Sequence, residues 1–293
     1  MDPAAEFVLP AYLVSGGLVA LFLLLLAGEL LFPLRRAKRD RKYRWAINIG
    51  VTGLSFAVGT AVVRPVALGL AAYNQSHSFG LLAWLPLPFW LQFVLGFLLM
   101  DLTFYWWHRA NHVYPLLWRF HNVHHVDPDL DVTTSFRFHF GETFYSTGFR
   151  ILQVGLMGIT PLTYLIYEFA FNVGTMFHHS NLRLPIGAER ILNKIFVTPR
   201  MHGVHHSAVG PETNSNYSVV FRWWDYLHKS LRLNIAQNDI VIGVPGYLRP
   251  SENQLVNLVI MPFARQKPYW RFPSGKGARR EKVEVPDPKV MLP

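Results

Sequence analysis

Long apolar stretches early in the chain predict membrane-crossing helices. Residues 11–34 are apolar apart from a single glutamate, and at ~1.5 Å per residue a helix of this length can cross ~30 Å of hydrocarbon. Residues 45–63 form a second, uncharged stretch, and the Arg64-Pro65 pair after it predicts an interruption before a shorter apolar piece. Residues 81–100 form a third stretch, so the pattern predicts three spans in the first part of the chain.

The third stretch contains two prolines near its outer end and then continues without a break signal to His108. Residues 142–177 are apolar again, with Gly158 and the Thr160-Pro161 pair at their middle. Because glycine and proline interrupt a helix, this pattern predicts a helical hairpin that enters the membrane and returns. Each arm of the hairpin is short for a full crossing.

The charge pattern predicts which helix ends face the cytoplasm. A basic run, residues 35–44, directly follows the first apolar stretch, and such runs stay on the cytoplasmic side of a membrane. The chain has an acidic start and no evident cleavage site after that stretch, so we interpret the stretch as a retained helix and not as a signal peptide. Three crossings from an outside N-terminus bring His108 to the cytoplasmic face, and the hairpin returns His202 to the same face.

The pattern as a whole predicts an all-α, polytopic membrane protein that forms a single domain over residues 1–293. We expect about four transmembrane helices, including the hairpin, and a cytoplasmic helical cap. From residue 180 onward, polar and apolar residues are mixed as in an ordinary soluble segment. A basic tail that contains proline and glycine follows at about residues 265–293.

Composition narrows the class of protein. With 51% hydrophobic and 16% charged residues, the chain is more apolar than an ordinary soluble domain. The chain has a net charge of +10, and its basic residues cluster beside apolar segments. We therefore expect contact with anionic lipid headgroups and no nucleic-acid partner. The chain has no cysteine, which excludes disulfides and thiolate ligands, so any metal must be held by nitrogen or oxygen.

Most of the thirteen histidines are grouped at spacings that place them on one face of a helix. The groups are His108 and His112; His121, His124 and His125; His178 and His179; and His202, His205 and His206. The Thr198-Pro199 pair before the last group predicts a helix start. His77, His139 and His228 stand apart, and the ordinary interpretation of His77 and His228 is a hydrogen-bonded structural histidine.

The clustered histidines predict a dinuclear metal site. A tetrahedral zinc ion takes three or four protein ligands, and the three spaced motifs supply eight, so two metals close together is the simpler interpretation. Imidazole suits iron, copper, zinc and nickel and does not suit magnesium or calcium. Composition alone does not choose among the first four.

These motifs resemble those of the fatty acid hydroxylase/sterol desaturase superfamily. The resemblance covers about residues 98–231 in the right order, including Asn216-Tyr217 and Trp224-Asp225 after the last histidines. Within the superfamily, the sequence is most similar to bacterial members of unassigned substrate and to alkylglycerol monooxygenase-like proteins. The resemblance implies a non-haem di-iron centre that faces the cytoplasm from a bacterial inner membrane.

Carried over by position, the resemblance implies a set of metal ligands. Eight histidines match directly: His108, His112, His121, His124, His125, His202, His205 and His206. At the remaining pair, fatty acid 2-hydroxylases have an H-x-x-x-H motif, and this chain has Gly174 where the first histidine would fall. His178 and His179 are therefore both candidate ligands.

Four other residues are candidates for roles around the metals. Asp101 precedes His108 by seven residues, two turns back on the same helix face, where its carboxylate could accept the second N–H of an imidazole. Glu142 and Asp225 are further candidates of this kind. His139 lies in an Arg-Phe-His-Phe-Gly-Glu stretch that resembles an R-x-H-P-x-E stretch of related members, as a ligand, a support for a ligand or a substrate-gate residue.

The resemblance implies O₂-dependent hydroxylation of an unactivated C–H bond in a membrane lipid, with two iron ions as cofactor and O₂ as co-substrate. Zinc could replace iron in a purified sample, because it competes well for imidazole. The chain shows no dinucleotide-binding motif, no haem-binding module and no iron–sulfur cysteines. Electrons must then come from an external donor of the ferredoxin, cytochrome or reductase type, or from a small-molecule reductant.

Alternative functions stay open at this point. A lipid or sterol desaturase, or an ether-lipid monooxygenase, would use the same metal site with a different substrate pose. A metal transporter is less well supported, because the histidines lie beside the apolar stretches and not within them. A non-catalytic lipid-binding scaffold would tolerate replacement of His124.

Overall fold

The computed structural model describes residues 11–280, so the acidic start of the chain and residues 281–293 of the predicted basic tail lie outside the described residues. Within that range the secondary structure is helical, with isolated β-bridges in place of strands, which confirms the all-α prediction. The helices are α1 (Ala11–Leu31), α2 (Arg41–Val58), α3 (Arg64–His77), α4 (Leu81–Trp84), α5 (Phe89–Val113), α6 (Pro115–His125), α7 (Phe140–Met157), α8 (Pro161–His179), α9 (Ile186–Leu192), α10 (Pro199–His205), α11 (Gly210–Thr213), α12 (Trp223–Leu227) and α13 (Leu255–Ile260). A π-helical segment (Gly59–Val63) joins α2 to α3, and 3₁₀ turns lie at Val132–Phe136, Gln237–Asp239, Pro245–Tyr247 and Pro250–Asn253.

Three helical segments of the described chain are long and apolar enough to cross a membrane. They are Tyr12–Leu31, Arg41–Trp84 and Phe89–Val113. Helix α1 ends three residues before the predicted end of the first span, because Pro33 leaves the helix and forms a β-bridge with Leu182.

The interruption predicted at Arg64-Pro65 is a π-helical segment and not a break in the helix. In a regular α-helix the ring of Pro65 would clash with the carbonyl group one turn earlier. The segment Gly59–Val63 widens the helix at that place, and the N–H of Arg64 donates to the carbonyl of Gly59. Pro65 then lies in the first turn of α3, directly after the widened segment.

The third span begins later than predicted. Helix α4 ends at Trp84, Leu85 is extended, and α5 begins at Phe89 after Pro88. The predicted stretch 81–100 is thus two helices, because a proline disfavours helical conformation in the residue before it. Helix α5 then continues to Val113, which confirms that it extends past Asp101 to His108 and His112.

Helices α7 and α8 form the predicted hairpin. Gly158 ends α7 with φ 72°, and Thr160 caps α8 by accepting the N–H of Thr163 at 3.4 Å. The hairpin turn packs against the turn after α3, where Gly80 has φ 99° and a Cβ atom would overlap the backbone of Gly158. The tip of the hairpin therefore lies level with the α3–α4 turn. A fourth membrane crossing through this hairpin stays a prediction.

The long helices pack into one bundle. Helix α7 packs against α2 and α3, and α8 packs against α1, α3 and α5. The centre of the bundle is apolar and includes Ala67, Met100, Val154, Ile159 and Tyr167. The ends of α1, α5 and α8 and the starts of α2 and α7 meet at one end of the bundle, where the short helices cover them. That this cap faces the cytoplasm stays a prediction.

Buried charges hold the cap to the bundle. Arg44 of α2 forms an ion pair with Asp127 at 2.8 Å and a second one with Asp131. Arg137 is fully buried and donates to the side-chain carbonyl of Asn48 at 2.8 Å. Because an isolated buried charge is costly, this network fixes the position of the loop that follows α6.

The part of the predicted basic tail that the structure describes packs on the cap. The ring of Trp270 lies 5.9 Å from the ring of Trp118, measured between centroids. Arg280 donates to both carboxylate oxygens of Glu212, at 2.7 and 2.9 Å. Trp270 and Arg280 therefore attach the described part of this tail to the rest of the cap.

Candidate metal centre

Histidines from α5, α6, α8 and α10 converge at the capped end of the bundle. They form two buried groups, and within each group the candidate ligand nitrogens all lie within 4.8 Å of one another. The five-histidine group consists of His108, His112, His121, His125 and His205. The four-histidine group consists of His124, His179, His202 and His206.

Each three-histidine motif divides between the two groups. On α6, His121 and His125 lie one turn apart and belong to the five-histidine group, whereas His124 belongs to the four-histidine group. In the motif of α10, His205 belongs to the five-histidine group, whereas His202 and His206 belong to the four-histidine group. Helices α6 and α10 thus each lie between the two groups and contribute to both.

Helix α10 starts at the residues that the sequence predicts, but its N-cap residue makes no capping hydrogen bond. Thr198 is the N-cap residue and Pro199 is in the first turn, as predicted. The Thr198 side chain makes no capping hydrogen bond, however, and its hydroxyl lies 3.4 Å from the Asn193 side-chain nitrogen.

Backbone carbonyl groups orient two rings of the five-histidine group. Nδ1 of His108 lies 2.7 Å from the carbonyl oxygen of Tyr217, and Nδ1 of His205 lies 2.7 Å from that of Ser215. A carbonyl group only accepts, so each Nδ1 carries the proton and donates it. The Nε2 atoms of these two rings, 3.1 Å apart, then face each other with their lone pairs available.

A carboxylate orients a third ring of this group. Nδ1 of His121 lies 2.8 Å from Oε1 of Glu142, and both side chains are buried. Nε2 of His121 has no hydrogen-bond partner among the described residues. The ring therefore presents this nitrogen to the centre of the group, as a carboxylate-supported metal ligand does.

The four-histidine group is built around His179. Nδ1 of His179 donates to the carbonyl oxygen of Thr175 at 2.8 Å. Its Nε2 lies 3.0 Å from Nε2 of His124 and 2.9 Å from Nε2 of His202. Nε2 of His206 lies 3.2 Å from that of His202, so the four Nε2 atoms converge.

The buried rings outside the membrane-spanning segments are neutral. Burial lowers the pKa of His124, His125, His202, His205 and His206 well below the usual value of 6.5, and the neighbouring imidazoles lower it further. Because a metal ion binds the neutral imidazole, this environment favours metal binding at neutral pH.

The two groups fit metal ions better than they fit a network of hydrogen bonds. Among the described residues, Nε2 of His125 and both ring nitrogens of His112 are buried without a partner. Each such atom costs ~1–3 kcal/mol if it stays unpaired. Two ligand nitrogens at ~2.1 Å from one ion and at right angles lie ~3.0 Å apart, close to the 2.9–3.2 Å between the paired Nε2 atoms. The all-nitrogen donor set suits iron, copper, zinc or nickel.

His178 lies outside both groups. The centroid of its ring is 4.1 Å from that of His202, but its nitrogens do not join the candidate ligand atoms of either group. Of the adjacent pair, the structure thus brings only His179 into the centre. At Gly174, a Cβ atom would lie 3.2 Å from the carbonyl oxygen of Val219, so the backbone packs closely there.

Asp101 does not orient an imidazole, contrary to the expectation from its spacing. Among the described residues, its carboxylate accepts the indole N–H of Trp224 at 2.7 Å and the backbone N–H groups of Phe221 and Val220 at 3.0 and 3.4 Å. These partners follow the last histidine motif in the chain. Asp101 therefore fixes the segment that leads to α12 against α5.

His139 also lies outside both groups, so the structure does not place it among the candidate ligands, and a role on the substrate side stays a prediction. Its Nδ1 accepts the backbone N–H of Gly141 at 2.9 Å, which caps the start of α7. Its Nε2 donates to the carbonyl oxygen of Val259 at 3.1 Å. Both nitrogens are used by the backbone, and the first turn of α7, which His139 caps, carries Glu142.

Asp225 supports a candidate ligand through the backbone. Its carboxylate accepts the N–H groups of Tyr217 and Ser218 at 2.8 and 2.9 Å, and the carbonyl of the same Tyr217 orients His108. The sequence did not predict that carbonyl groups of residues 175, 215 and 217 orient the rings, because any residue type supplies a carbonyl. The one residue type that points to this arrangement is Asn216, which lies between Ser215 and Tyr217 and has a φ of 55°.

Comparisons with known proteins agree with this geometry. The model of the fatty acid hydroxylase family matches residues 93–230. The ornithine lipid hydroxylase OlsE of Rhizobium tropici is 30% identical over 264 residues, which cover 87% of this chain and 75% of that protein. No solved structure matches the chain.

Two other relatives match shorter parts. The alkylglycerol monooxygenase of Danio rerio is 32% identical over 60% of this chain, which spans 38% of that protein. The cholesterol 25-hydroxylase of Homo sapiens is 30% identical over 46% of this chain and 49% of that protein. The matches confirm the resemblance found in the histidine motifs and, with the three candidate spans, identify a membrane protein. The chain belongs to the fatty acid hydroxylase family.

Proposed function

We propose that this protein is a membrane-bound, non-haem di-iron oxidoreductase that hydroxylates an unactivated C–H bond in a membrane lipid. One observation carries the proposal: nine buried histidines divide into two adjacent groups, each with converging nitrogens. A single ion needs only one such group, so two groups support two ions. The relatives named as hydroxylases and monooxygenases support an oxidoreductase.

Each group would hold one iron ion. When bound, the two ions would supply the redox chemistry that activates O₂, which no amino-acid side chain supplies. Zinc has no redox chemistry and suits the same nitrogens, so it could occupy the centre in a purified sample without supporting the reaction.

The chain's own residues hold the ligands in place and keep the centre dry. Glu142 and the carbonyl groups of Ser215 and Tyr217 fix the rings of the five-histidine group before any ion arrives. The ring of Phe138 stacks on that of His124 with 4.6 Å between centroids, and Trp118 lies 4.9 Å from the ring of His112. These aromatic side chains would help to keep water away from the two histidine groups.

The proposed substrate is a lipid that arrives from the bilayer. Three relatives are named for an ornithine lipid, an alkylglycerol or cholesterol, all of them lipids. The histidine groups lie at the ends of α5 and α8, whose other faces carry exposed apolar side chains such as Val94 and Phe169. An alkyl chain gains ~0.8 kcal/mol per CH₂ group by entering the bilayer, so the membrane would concentrate the substrate beside these helices.

The reaction needs electrons from outside the chain. Hydroxylation consumes one O₂, two electrons and two protons, and it yields one C–OH group and one water molecule. We propose an external donor of the ferredoxin, cytochrome or reductase type, or a small-molecule reductant. The basic run after α1 supports a centre that faces the cytoplasm, in a bacterial inner membrane.

Mass spectrometry of membrane lipids tests the proposed function. Cells that express the wild type or His205→Ala are grown with and without air, and His77→Ala, a change at a histidine remote from both groups, serves as the matched control. We expect lipids that gain one oxygen atom only in air, and only with the wild type and His77→Ala. The same oxidised lipids with His205→Ala, or without air, would contradict the proposal.

Oxidative cleavage of an ether lipid is the second candidate function. The similarity to alkylglycerol monooxygenases over 60% of this chain favours it. The same experiment separates the candidates: a hydroxylase leaves the lipid whole with one more oxygen, whereas ether cleavage removes an alkyl chain, and a desaturase removes two hydrogen atoms.

A further inference from the structure

Two segments of the cap share an exposed apolar surface. One is the chain in and after α9, residues 186–196, and the other is the chain at α12, residues 221–227. Their exposed apolar side chains are Ile186, Ile191, Leu192, Ile195, Phe196, Trp223, Tyr226 and Leu227. A contiguous exposed apolar surface usually marks a contact with a protein or a membrane. We call this surface the cap patch.

Direct contacts hold the two segments of the cap patch side by side. A β-bridge joins Phe196 to Phe221, and the rings of these two residues stack with 5.9 Å between their centroids. The indole N–H of Trp223 donates to the carbonyl oxygen of Lys194 at 3.1 Å. The ring of Trp223 also stacks on that of Phe221, with 4.5 Å between centroids. The cap patch is therefore one surface that two segments build together.

The cap patch extends along α5 beyond the level of the histidines, toward the start of that helix. The carboxylate of Asp101 accepts the backbone N–H of Phe221 at 3.0 Å, and the ring of Phe97 lies 6.0 Å from that of Phe221. Asp101 and Phe97 precede His108 by seven and eleven residues, which is ~10 and ~16 Å along the helix. Phe221 thus packs two to three helical turns below the histidines.

Helix α8 gives a similar depth. The backbone of Val219 packs against Gly174, where a Cβ atom would lie 3.2 Å from the carbonyl oxygen of Val219. Gly174 precedes His179 by five residues, which is ~7 Å along α8. The chain that leads into the cap patch therefore crosses both α5 and α8 below the level of the histidines.

The length of α5 places this depth inside a bilayer. A helix needs ~20 residues to cross ~30 Å of hydrocarbon, and the part of α5 from Phe89 to His108 has that length. If the hydrocarbon ended at Phe97, only the part of α5 from Phe89 to Phe97, ~13 Å long, would remain inside it. When α5 crosses the membrane, Phe221 therefore lies below the membrane surface.

The charges of the two segments suit a lipid environment. Glu189 and Asp225, the acidic residues of these segments, are fully buried. Glu189 pairs with Arg200 at 2.7 Å, and Asp225 accepts backbone N–H groups. Lys194 is exposed, and a lysine can keep its ammonium group among lipid headgroups while its carbon chain lies along apolar surface. Within residues 186–196 and 221–227, no carboxylate is exposed to the surroundings of the patch.

We propose that the cap patch is embedded in the lipid bilayer, with its apolar side chains among the acyl chains of the leaflet on the cap side. It continues the lipid-facing surface of α5, where Val94 is exposed. The mixed polarity after residue 180 predicts a cap that lies wholly outside the membrane, and the proposal departs from that expectation. It does not depend on the proposed oxidation, because no residue of the patch belongs to the histidine groups.

Spin labels on single cysteines test this placement in the full-length protein, because the chain has no native cysteine. Ile191→Cys and Leu227→Cys place the label in the cap patch, at side chains that are 68% and 65% exposed. Two valines of the described chain with similar exposure, 42% and 40%, serve as controls. Val94→Cys reports on the lipid-facing side of α5. Val241→Cys reports on a polar loop of the cap, where Arg280 donates to the carbonyl oxygen of a neighbouring residue.

Each variant is reconstituted in phosphatidylcholine nanodiscs, and electron paramagnetic resonance measures the collisions of the label with O₂ and with a charged nickel chelate. The chelate is excluded from hydrocarbon, because an ion loses its hydration there, whereas O₂ is not. We expect the ratio of O₂ to chelate collisions at residues 191 and 227 to match that at residue 94 and to exceed that at residue 241 about tenfold. Unchanged thermal midpoints would show that the variants fold.

Three results would overturn the proposal. A ratio at residues 191 and 227 like that at residue 241 would show that the cap patch faces water. Few collisions with either reagent would show that a second copy of the chain or another protein covers the patch. Frequent collisions of the chelate with the label at residue 94 would show that α5 does not cross the bilayer at this depth.

Discussion

Oε1 of Glu142 lies 2.8 Å from Nδ1 of His121, and the other nitrogen of that ring belongs to the five-histidine group. The carboxylate fixes which nitrogen carries the proton and which way the ring points. In the described part of the chain, the other oriented rings donate to the backbone carbonyls of Thr175, Ser215 and Tyr217. Glu142 is therefore the orienting group that mutation can remove.

Glu142→Ala should weaken metal binding by the five-histidine group. Loss of a carboxylate that supports a ligand typically costs ~10–100-fold in metal affinity or activity. Glu142→Gln should cost less, because its side-chain carbonyl can still accept the proton on Nδ1 of His121. Iron affinity, measured by competition with a chelator, checks both variants.

The surface variant Glu252→Gln is the control for these changes, since that carboxylate pairs with Lys267 away from the histidines. It should leave iron affinity unchanged. Wild-type affinity in Glu142→Ala, with the fold retained, would show that the carboxylate has no part in holding His121.

The adjacent pair at the end of α8 gives a sharper test of the ligand set. His179→Ala removes the residue around which the four-histidine group is built, and it should reduce bound iron from about two ions per chain toward one. His178→Ala changes the neighbouring residue, which lies outside both groups, and it should keep the full content. Elemental analysis by mass spectrometry measures both. The opposite result for the pair would mean that His178 is the ligand.

The metal-free protein should lose stability as the pH falls below about 6.5. Burial lowers the folded-state pKa of His124, His125, His202, His205 and His206 well below 6.5, whereas the unfolded chain titrates near that value. Below about pH 6.5 the unfolded chain binds more protons, so the free energy of unfolding rises with pH by up to ~1.4 kcal/mol per unit for each ring and levels off above it.

Thermal unfolding of chelator-treated protein, followed by tryptophan fluorescence between about pH 5 and 8, checks this dependence. The midpoint should rise with pH and then become constant. His205→Gln should flatten the rise, because one titrating ring is gone. A midpoint that increases on acidification would show that the rings are not buried as neutral groups.

The turns at Gly80 and Gly158 pack so closely that a side chain at Gly158 should destabilise the protein. In Gly158→Ala, the new Cβ atom would lie 2.8 Å from the carbonyl oxygen of Phe79, at a φ of 72° that favours glycine. We expect a cost of ~1–3 kcal/mol and a thermal midpoint lower by several degrees. Gly148→Ala, at an open position of α7, should be neutral or slightly stabilising. Equal midpoints for both variants would contradict the close packing of the hairpin tip.

Helical spacing predicts much of the centre, because side-chain direction follows directly from position along a helix. His121 and His125 share one face of α6, and they share one group in the structure. Spacing does not predict that His124 joins the other group, since that depends on how α6, α8 and α10 cross. The choice of His179 over His178 depends on the same packing.

Residue spacing does not predict the role of a side chain whose partners lie far away in the sequence. Asp101 does lie two turns before His108 on α5, but its partners are Phe221 and Trp224, more than a hundred residues later in the chain. His139 resembles a family motif, yet it begins α7 and is used as the helix cap. The π-helical segment before Pro65 is also not predictable from the sequence pattern. A proline indicates that the α-helix is interrupted, but it does not indicate whether the interruption is a break, a kink or a π-helical segment.

The central claim is that the two histidine groups hold a pair of iron ions. Anomalous X-ray scattering at the iron edge, from crystals of protein loaded with iron, tests it most directly. We predict two peaks per chain, one among His108, His112, His121, His125 and His205 and one among His124, His179, His202 and His206. A single peak, or iron bound away from these nitrogens, would contradict the claim.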